Sequence, residues 1–419
     1  MWRRRLVQTV SVYAALACLN WCAVAEAGPY VALGQADWSA LDLPRVSLAV
    51  YDPNGDGNSL GPELPNEFLL RSGVQGLVAA GLSVDNLATK GYKTVALYDE
   101  MGMGGVPHTY YVSLPYNLYL SGTEANKPAA LPLVRMLSDA NTTFGGYSGI
   151  LGTPAMLRRV TTLDNVEMAS VYRMGVRFEP NTPPGAGHRY DVPLQLLSLP
   201  PTGMHDANLP PPTYGPLLEA PVVLGQGTVA EANWFVLDTG IAVSILSTAV
   251  AFRLGLDANG DGSLLDEAVS LVPVGSGWAP IMEIDSFALS TRQGVDLVWS
   301  HPRVLVLDVD PNIPGLIGMD LLTSGWAGKV QDGNEINGYV GYVHLDLTDP
   351  NSGQGTMYLD INPGLDVVVP EPAAVAALLL GGAWIQRRRS RRQSNRRQCS
   401  RAHGFLPSPG IQGMVGSLF

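Results

Sequence analysis

Asp238 closes an apolar run, Trp234 to Leu237, and is followed at once by Thr239 and Gly240 before apolar residues resume at Ile241. A carboxylate at the tip of a buried strand is costly unless hydrogen bonds or catalysis compensate. Gly240 lets the backbone double back and bring amides towards that carboxylate. Such a group can do acid–base work, and the ionisable group beside it decides of what kind. When two carboxylates share one proton, one is ionised and acts as base while the other donates.

The place to look for that partner is set by a repeat. Residues 66–80, NEFLLRSGVQGLVAA, align without a gap on the stretch that begins NWFVLDTG at Asn233, with Asn66 on Asn233, Phe68 on Phe235, Leu70 on Leu237 and Gly73 on Gly240. Further on, GILGTPAML and GLIGMDLL both place a glycine after two apolar residues, Gly152 and Gly318. Two motifs recurring in the same order at nearly equal spacing mark an internal duplication. At the position of Asp238 the first copy carries Arg71, within Arg71-Ser72-Gly73. A guanidinium a few Å away favours the ionised carboxylate. It stays protonated and supplies neither a general base nor a readily donated proton. The expectation is therefore a salt bridge across a local two-fold axis rather than an activated water. Glu67 and Asp99 are the nearby acids that could be recruited instead, and two chains pairing their second copies is the other route to two acids.

The apolar pair, Asp-Thr-Gly and the following small or apolar residues leading to Ser244 resemble the active-site turn of the aspartic peptidases, the pepsin and retropepsin families. In that family each lobe holds such a turn, a flap hairpin and an apolar-apolar-Gly strand behind the turn. The resemblance covers most of residues 40–365. It implies an all-β, bilobal pepsin-like fold with homologous lobes at 28–185 and 186–366, and flap tips at 101–105 and 274–278. It gives Asp238, Thr239 and Gly240 the second-lobe active-site positions, and Arg71, Ser72 and Gly73 those of the first lobe. With Arg71 in place, the expected function is a catalytically impaired pseudopeptidase that binds peptide or extracellular polymer in the interlobe cleft. The alternatives are an active endopeptidase using Asp238 with a non-standard partner, and a calcium-stabilised surface structural protein.

Calcium enters through two Asp-rich turns, and no other cofactor is implied. In DPNGDGNSLGPE, Asp52, Asn54, Asp56 and Glu63 fit the loop template in which alternate oxygen ligands wrap a hard cation, although Pro62 is awkward there. In DANGDGSLLDEA, Asp257, Asn259 and Asp261 are in phase, but Glu267 falls one place early. Polar turns held by side-chain-to-backbone hydrogen bonds explain the same residues.

The two ends of the chain read as targeting. Residues 1–27 carry Arg3 to Arg5, an apolar stretch and Ala25-Glu26-Ala27, the pattern of a secretory signal. Residues 369–392 combine Pro-Glu-Pro, an apolar run and an arginine cluster, which resembles the PEP-CTERM sorting signal. That likeness implies an exosortase-type partner, a transient C-terminal membrane anchor, and a final location in the cell envelope or outside. The tail 393–419 departs from the pattern, because such signals normally stop just after the arginines.

Eleven of the 26 basic residues lie in these ends, so the body between Gly28 and Pro370 is close to −20, against −11 for the whole chain. Such a body repels nucleic acid. Cys18, Cys22 and Cys399 are the only cysteines, so the body has no disulfide, thiol nucleophile or Cys-based zinc site. The six histidines show no metal spacing. With 47 Gly and 32 Pro and few sustained helical periods, the composition favours turn-rich β structure.

Overall fold

Strand Arg45–Tyr51, RVSLAVY, shows how the sequence builds this fold: its residues alternate between half-buried and buried along the whole strand. That is the period of a pleated ribbon with one face on a core. By contrast, the short strands Leu77–Ala80, Gly149–Leu151 and Gly315–Ile317 are buried at every residue, as central strands covered on both faces must be. In this computed structural model, residues 30–361 are described except 36–38, 64–65, 102–106, 122–128, 140–143, 145, 172, 200–203, 206–208, 275–276 and 325–337. Segments 1–27 and 369–392, where targeting signals are expected, and the tail 393–419 therefore lie outside the described residues. Residues 28–369 form one compact unit.

The chain is mostly β, gathered into two large mixed sheets. The same small motif occurs in each. Glu67–Leu70 pairs in parallel with Gly149–Leu151, which pairs antiparallel with Leu77–Ala80. Val229–Leu237 pairs in parallel with Gly315–Ile317, which pairs antiparallel with Ile245–Leu246. Phe68 and Phe235 occupy matching places beside Gly149 and Gly315, and both phenylalanines are fully buried.

The sequence halves are not separate in hydrogen bonding. Tyr30–Gln35 pairs in parallel with Asp296–Ser300. Val160–Asp164 pairs antiparallel with Val340–Asp346, and Met204–His205 crosses the other way to pair with Thr94–Met101. Hairpin Thr94–Met101/Pro107–Ser113 is where the first flap is expected; of its tip, 101–105, residues 102–105 lie outside the described residues. Hairpin Ser270–Val274/Gly277–Glu283 is where the second is expected.

A line of polar side chains crosses five neighbouring strands of the larger sheet. Thr162 Oγ1 donates to Glu179 Oε2 at 2.7 Å and lies 2.8 Å from His344 Nδ1. His344 Nε2 is 3.4 Å from Asp360 Oδ2, and Arg189 grips both Asp360 oxygens at 2.6 and 2.8 Å. Burial pushes the Asp360 carboxyl up, but the hydrogen bonds from His344 and Arg189 outweigh it and hold the group at about 2.

Candidate functional site

Arg71 and Asp238 each follow directly on a strand end, and each is held there in the same way. The Arg71 amide donates to Leu151 O and the Asp238 amide to Ile317 O, both at 2.9 Å. The parallel neighbour strands thus fix both turns at equal depth. The turns then lock to each other. Thr239 Oγ1 donates to Leu70 O at 2.8 Å and accepts from the Ser72 amide at 3.1 Å. Ser72 Oγ donates to Leu237 O at 2.6 Å and accepts from the Thr239 amide at 3.1 Å. Ser72 and Thr239 are both fully buried, so this lattice has no water to fall back on. Removing the Thr239 hydroxyl in Thr239→Val leaves Leu70 O and the Ser72 amide each short of a partner. The expected loss is about 2–4 kcal/mol of stability, read by urea unfolding.

The same crossing explains both glycines. A Cβ on Gly73 would stand 2.3 Å from Asp238 Cγ, and one on Gly240 would stand 2.4 Å from Arg71 Cγ. Each turn therefore has a glycine because the other turn's side chain passes over it.

The two side chains meet in a fork. Arg71 Nε lies 3.1 and 3.0 Å from Asp238 Oδ1 and Oδ2, and Nη2 is 2.8 Å from Oδ2. The Gly240 amide adds a bond to Oδ1 at 3.0 Å. Asp238 is 1% exposed at its side chain and Arg71 21%. Planar, charge-assisted contacts of this kind are among the stronger hydrogen bonds in proteins. Both carboxylate oxygens are engaged, and their nearest ionisable neighbour is a cation. As arranged, the pair can orient a ligand, and it does not set up proton sharing between two acids.

A cavity of about 320 Å³ opens over the pair. Val78 and Ile150, from one apolar cluster, line it together with Val236 and Leu316 from another. Gln75 and His108 add polar groups to the lining, and His108 Nε2 contacts the buried carboxylate of Asp139. The acids singled out as replacements are elsewhere engaged. Glu67 pairs with Arg173 at 2.7 Å, and Asp99 is exposed and accepts from Thr109 Oγ1 at 2.6 Å. Neither lines this cavity.

Asp320 belongs to the same assembly and escapes sequence reasoning. Ser244 donates to it twice, from Oγ to Oδ1 at 2.8 Å and from its amide to Oδ2 at 2.9 Å, while the Gly318 amide donates to Ser244 Oγ at 2.9 Å. Burial pushes the Asp320 carboxyl up to about 7, against the pull of the Ser244 bonds. The available signal was an acid two residues beyond the repeated Gly318, where the first copy has Pro154.

The two Asp-rich turns form differently. In the first, Asp52 Oδ1 accepts from the Asn54 amide and Asp56 from Asn58, whereas Glu63 turns away to Lys90. In the second, Asp257 accepts from the Gly260 and Gly262 amides, Asn259 from Asp261, and Asp261 from Ser263. Glu267 Oε1 closes the turn by accepting from the Ala258 and Asn259 amides at 3.1 and 3.2 Å. Side-chain-to-backbone bonds thus hold both turns. Among the described residues, no group of three or more His, Cys, Asp or Glu is arranged to hold a metal ion.

Set beside known proteins, the chain matches no family model, and no curated protein matches it in sequence.

Proposed function

We propose that this chain is an aspartic-peptidase-like protein of bilobal, pepsin-like fold whose cleft binds peptide or extracellular polymer without cleaving it. The observation that carries this reading is the forked Arg71–Asp238 ion pair between two equivalent turns. In an active member of that family two carboxylates share a proton at these positions. Here a permanent cation replaces one of them, which removes the proton donor and occupies the base. The apolar walls and polar floor of the cavity suit a ligand that is held by side-chain burial and oriented by a few polar groups. The N-terminal signal and the Pro-Glu-Pro segment support export and exosortase-dependent sorting to the envelope, with the C-terminal segment as a transient membrane anchor.

The test is incubation of the full chain with a mixed peptide library from pH 3 to 7, beside Asp238→Asn. We expect no cleavage by either, and retention of a subset of peptides. Val309→Trp, which fills the cavity from its wall, should weaken that retention at least about tenfold, as loss of a desolvated pocket does. Cleavage by the native chain that vanishes in Asp238→Asn would overturn the reading in favour of an active endopeptidase.

A further inference from the structure

A second cavity, of about 680 Å³, is built from residues that the cleft does not use. Its walls are Ala129 and Ala130, the pair Arg158 and Arg159, and the turn 178–184. Arg159 is half-buried; its Nη2 donates to Ala130 O at 3.0 Å, and its guanidinium stacks 5.7 Å over the Phe178 ring. Burial lowers its affinity for the proton, and no carboxylate acts against that. A desolvated guanidinium with unused donors is a site for an anion. Arg158, beside it, is exposed and holds a φ of 62°, a conformation that side chains with a Cβ rarely adopt and that local structure must enforce. Its amide is anchored to Leu347 O at 2.8 Å.

The opposite wall is equally fixed. Arg189, while gripping buried Asp360, donates to Pro183 O at 2.6 Å and Pro184 O at 3.4 Å. Thr182 Oγ1 donates to Asp346 Oδ2 at 2.8 Å. Among the described lining residues Arg158 and Arg159 stand against one acid, Glu179, whose Oε2 accepts from Thr162, so the lining is positive on a body near −20. That exception has a direction, since a cation kept in an acidic protein attracts an anionic ligand locally.

The wall also discriminates among anions. Pro180, Pro183 and Pro184 have no amide N–H, and the carbonyls of Pro183 and Pro184 are occupied by Arg189. A peptide main chain, which is recognised through backbone donors and acceptors, finds little on this proline face. Flat C–H faces of proline beside a guanidinium fork suit a sugar ring carrying a carboxylate. We propose that this cavity binds a uronic-acid-bearing sugar chain, its carboxylate held by Arg158 and Arg159 and its ring against the proline wall. The assignment is independent of the cleft.

Calorimetric titration of the full chain with trigalacturonate at pH 7 and low salt tests it. Galactotriose serves as the neutral comparator, and an acetylated tripeptide with a free carboxylate as the peptide one. Trigalacturonate should bind, galactotriose should not, and Val309→Trp in the cleft should leave binding unchanged. Arg158→Gln, at an exposed side chain that the fold does not need, should weaken binding about tenfold, and Arg159→Gln about tenfold to a hundredfold. Absence of trigalacturonate binding, equal binding of galactotriose, preference for the tripeptide, or binding that survives both arginine substitutions would each overturn the proposal.

Discussion

Arg71→Leu should cost the fold roughly 3 kcal/mol at neutral pH, and adding Asp238→Asn to the same molecule should return part of that loss. The reason lies in the asymmetry of burial. Asp238 is almost fully enclosed, whereas Arg71 keeps a fifth of its side chain in contact with solvent. Removing the arginine leaves a carboxylate with the Gly240 amide as its remaining donor in a place that water reaches poorly. The estimate sits at the low end for breaking a buried pair because Arg71 is partly exposed. Neutralising the acid as well removes the charge that needed the partner, so the double variant should be more stable than Arg71→Leu alone. Urea unfolding of the four proteins in a double-mutant cycle measures the coupling. Additive effects would mean that the fork contributes nothing beyond its separate packing.

Asp320→Asn should flatten the dependence of stability on pH. Asp320 titrates near 7 in the folded chain against an ordinary 3.8, so between those values the folded state binds a proton that the unfolded state has released. Stability contributed at this site is therefore greatest below about pH 4, falls as pH rises towards 7, and is lowest above it. Asparagine reproduces the protonated acid: its amide can donate to Ser244 Oγ while its carbonyl accepts from the Ser244 amide. The variant should match the native chain near pH 4 and exceed it at pH 8 by on the order of 2–4 kcal/mol. Denaturant unfolding at the two pH values decides it. A native chain as stable at pH 8 as at pH 4, with the variant parallel to it, would show that Asp320 stays ionised throughout.

What could be read in the chain was what repeats. The Phe68/Phe235, Gly73/Gly240 and Gly152/Gly318 correspondences place both turns and the strands behind them, because burial at those positions demands the same residue types in each copy. The opposition of Arg71 and Asp238 follows from that alignment. What the alignment could not give is contact across the halves. Ser72 and Thr239 could be assigned to the two turns from sequence, but only the meeting of the turns makes each the other's hydrogen-bond partner. Asp320 was hidden for the opposite reason, having no counterpart in the first copy. The Asp-rich turns show the limit of spacing. Glu63 has the right interval for a ligand, and its carboxylate pairs with Lys90, a contact that no spacing announces. The cavity around Arg158 and Arg159 draws on segments distant in sequence, and no local pattern marks it.

The pairing of Tyr30–Gln35 with Asp296–Ser300 sets a timetable for the chain as it emerges. The first described strand cannot take its place until Asp296 and its neighbours have followed it, after most of the β body has been made. Val160–Asp164 finds one neighbour soon, in Gly175–Glu179, but its other edge waits for Val340–Asp346. Long-range parallel pairing is slow, and strands left without neighbours are prone to join other chains. A nascent chain of this topology therefore carries unsatisfied strand edges through most of its synthesis. Escort during and after translation, rather than spontaneous early collapse, is what this arrangement asks of its cell.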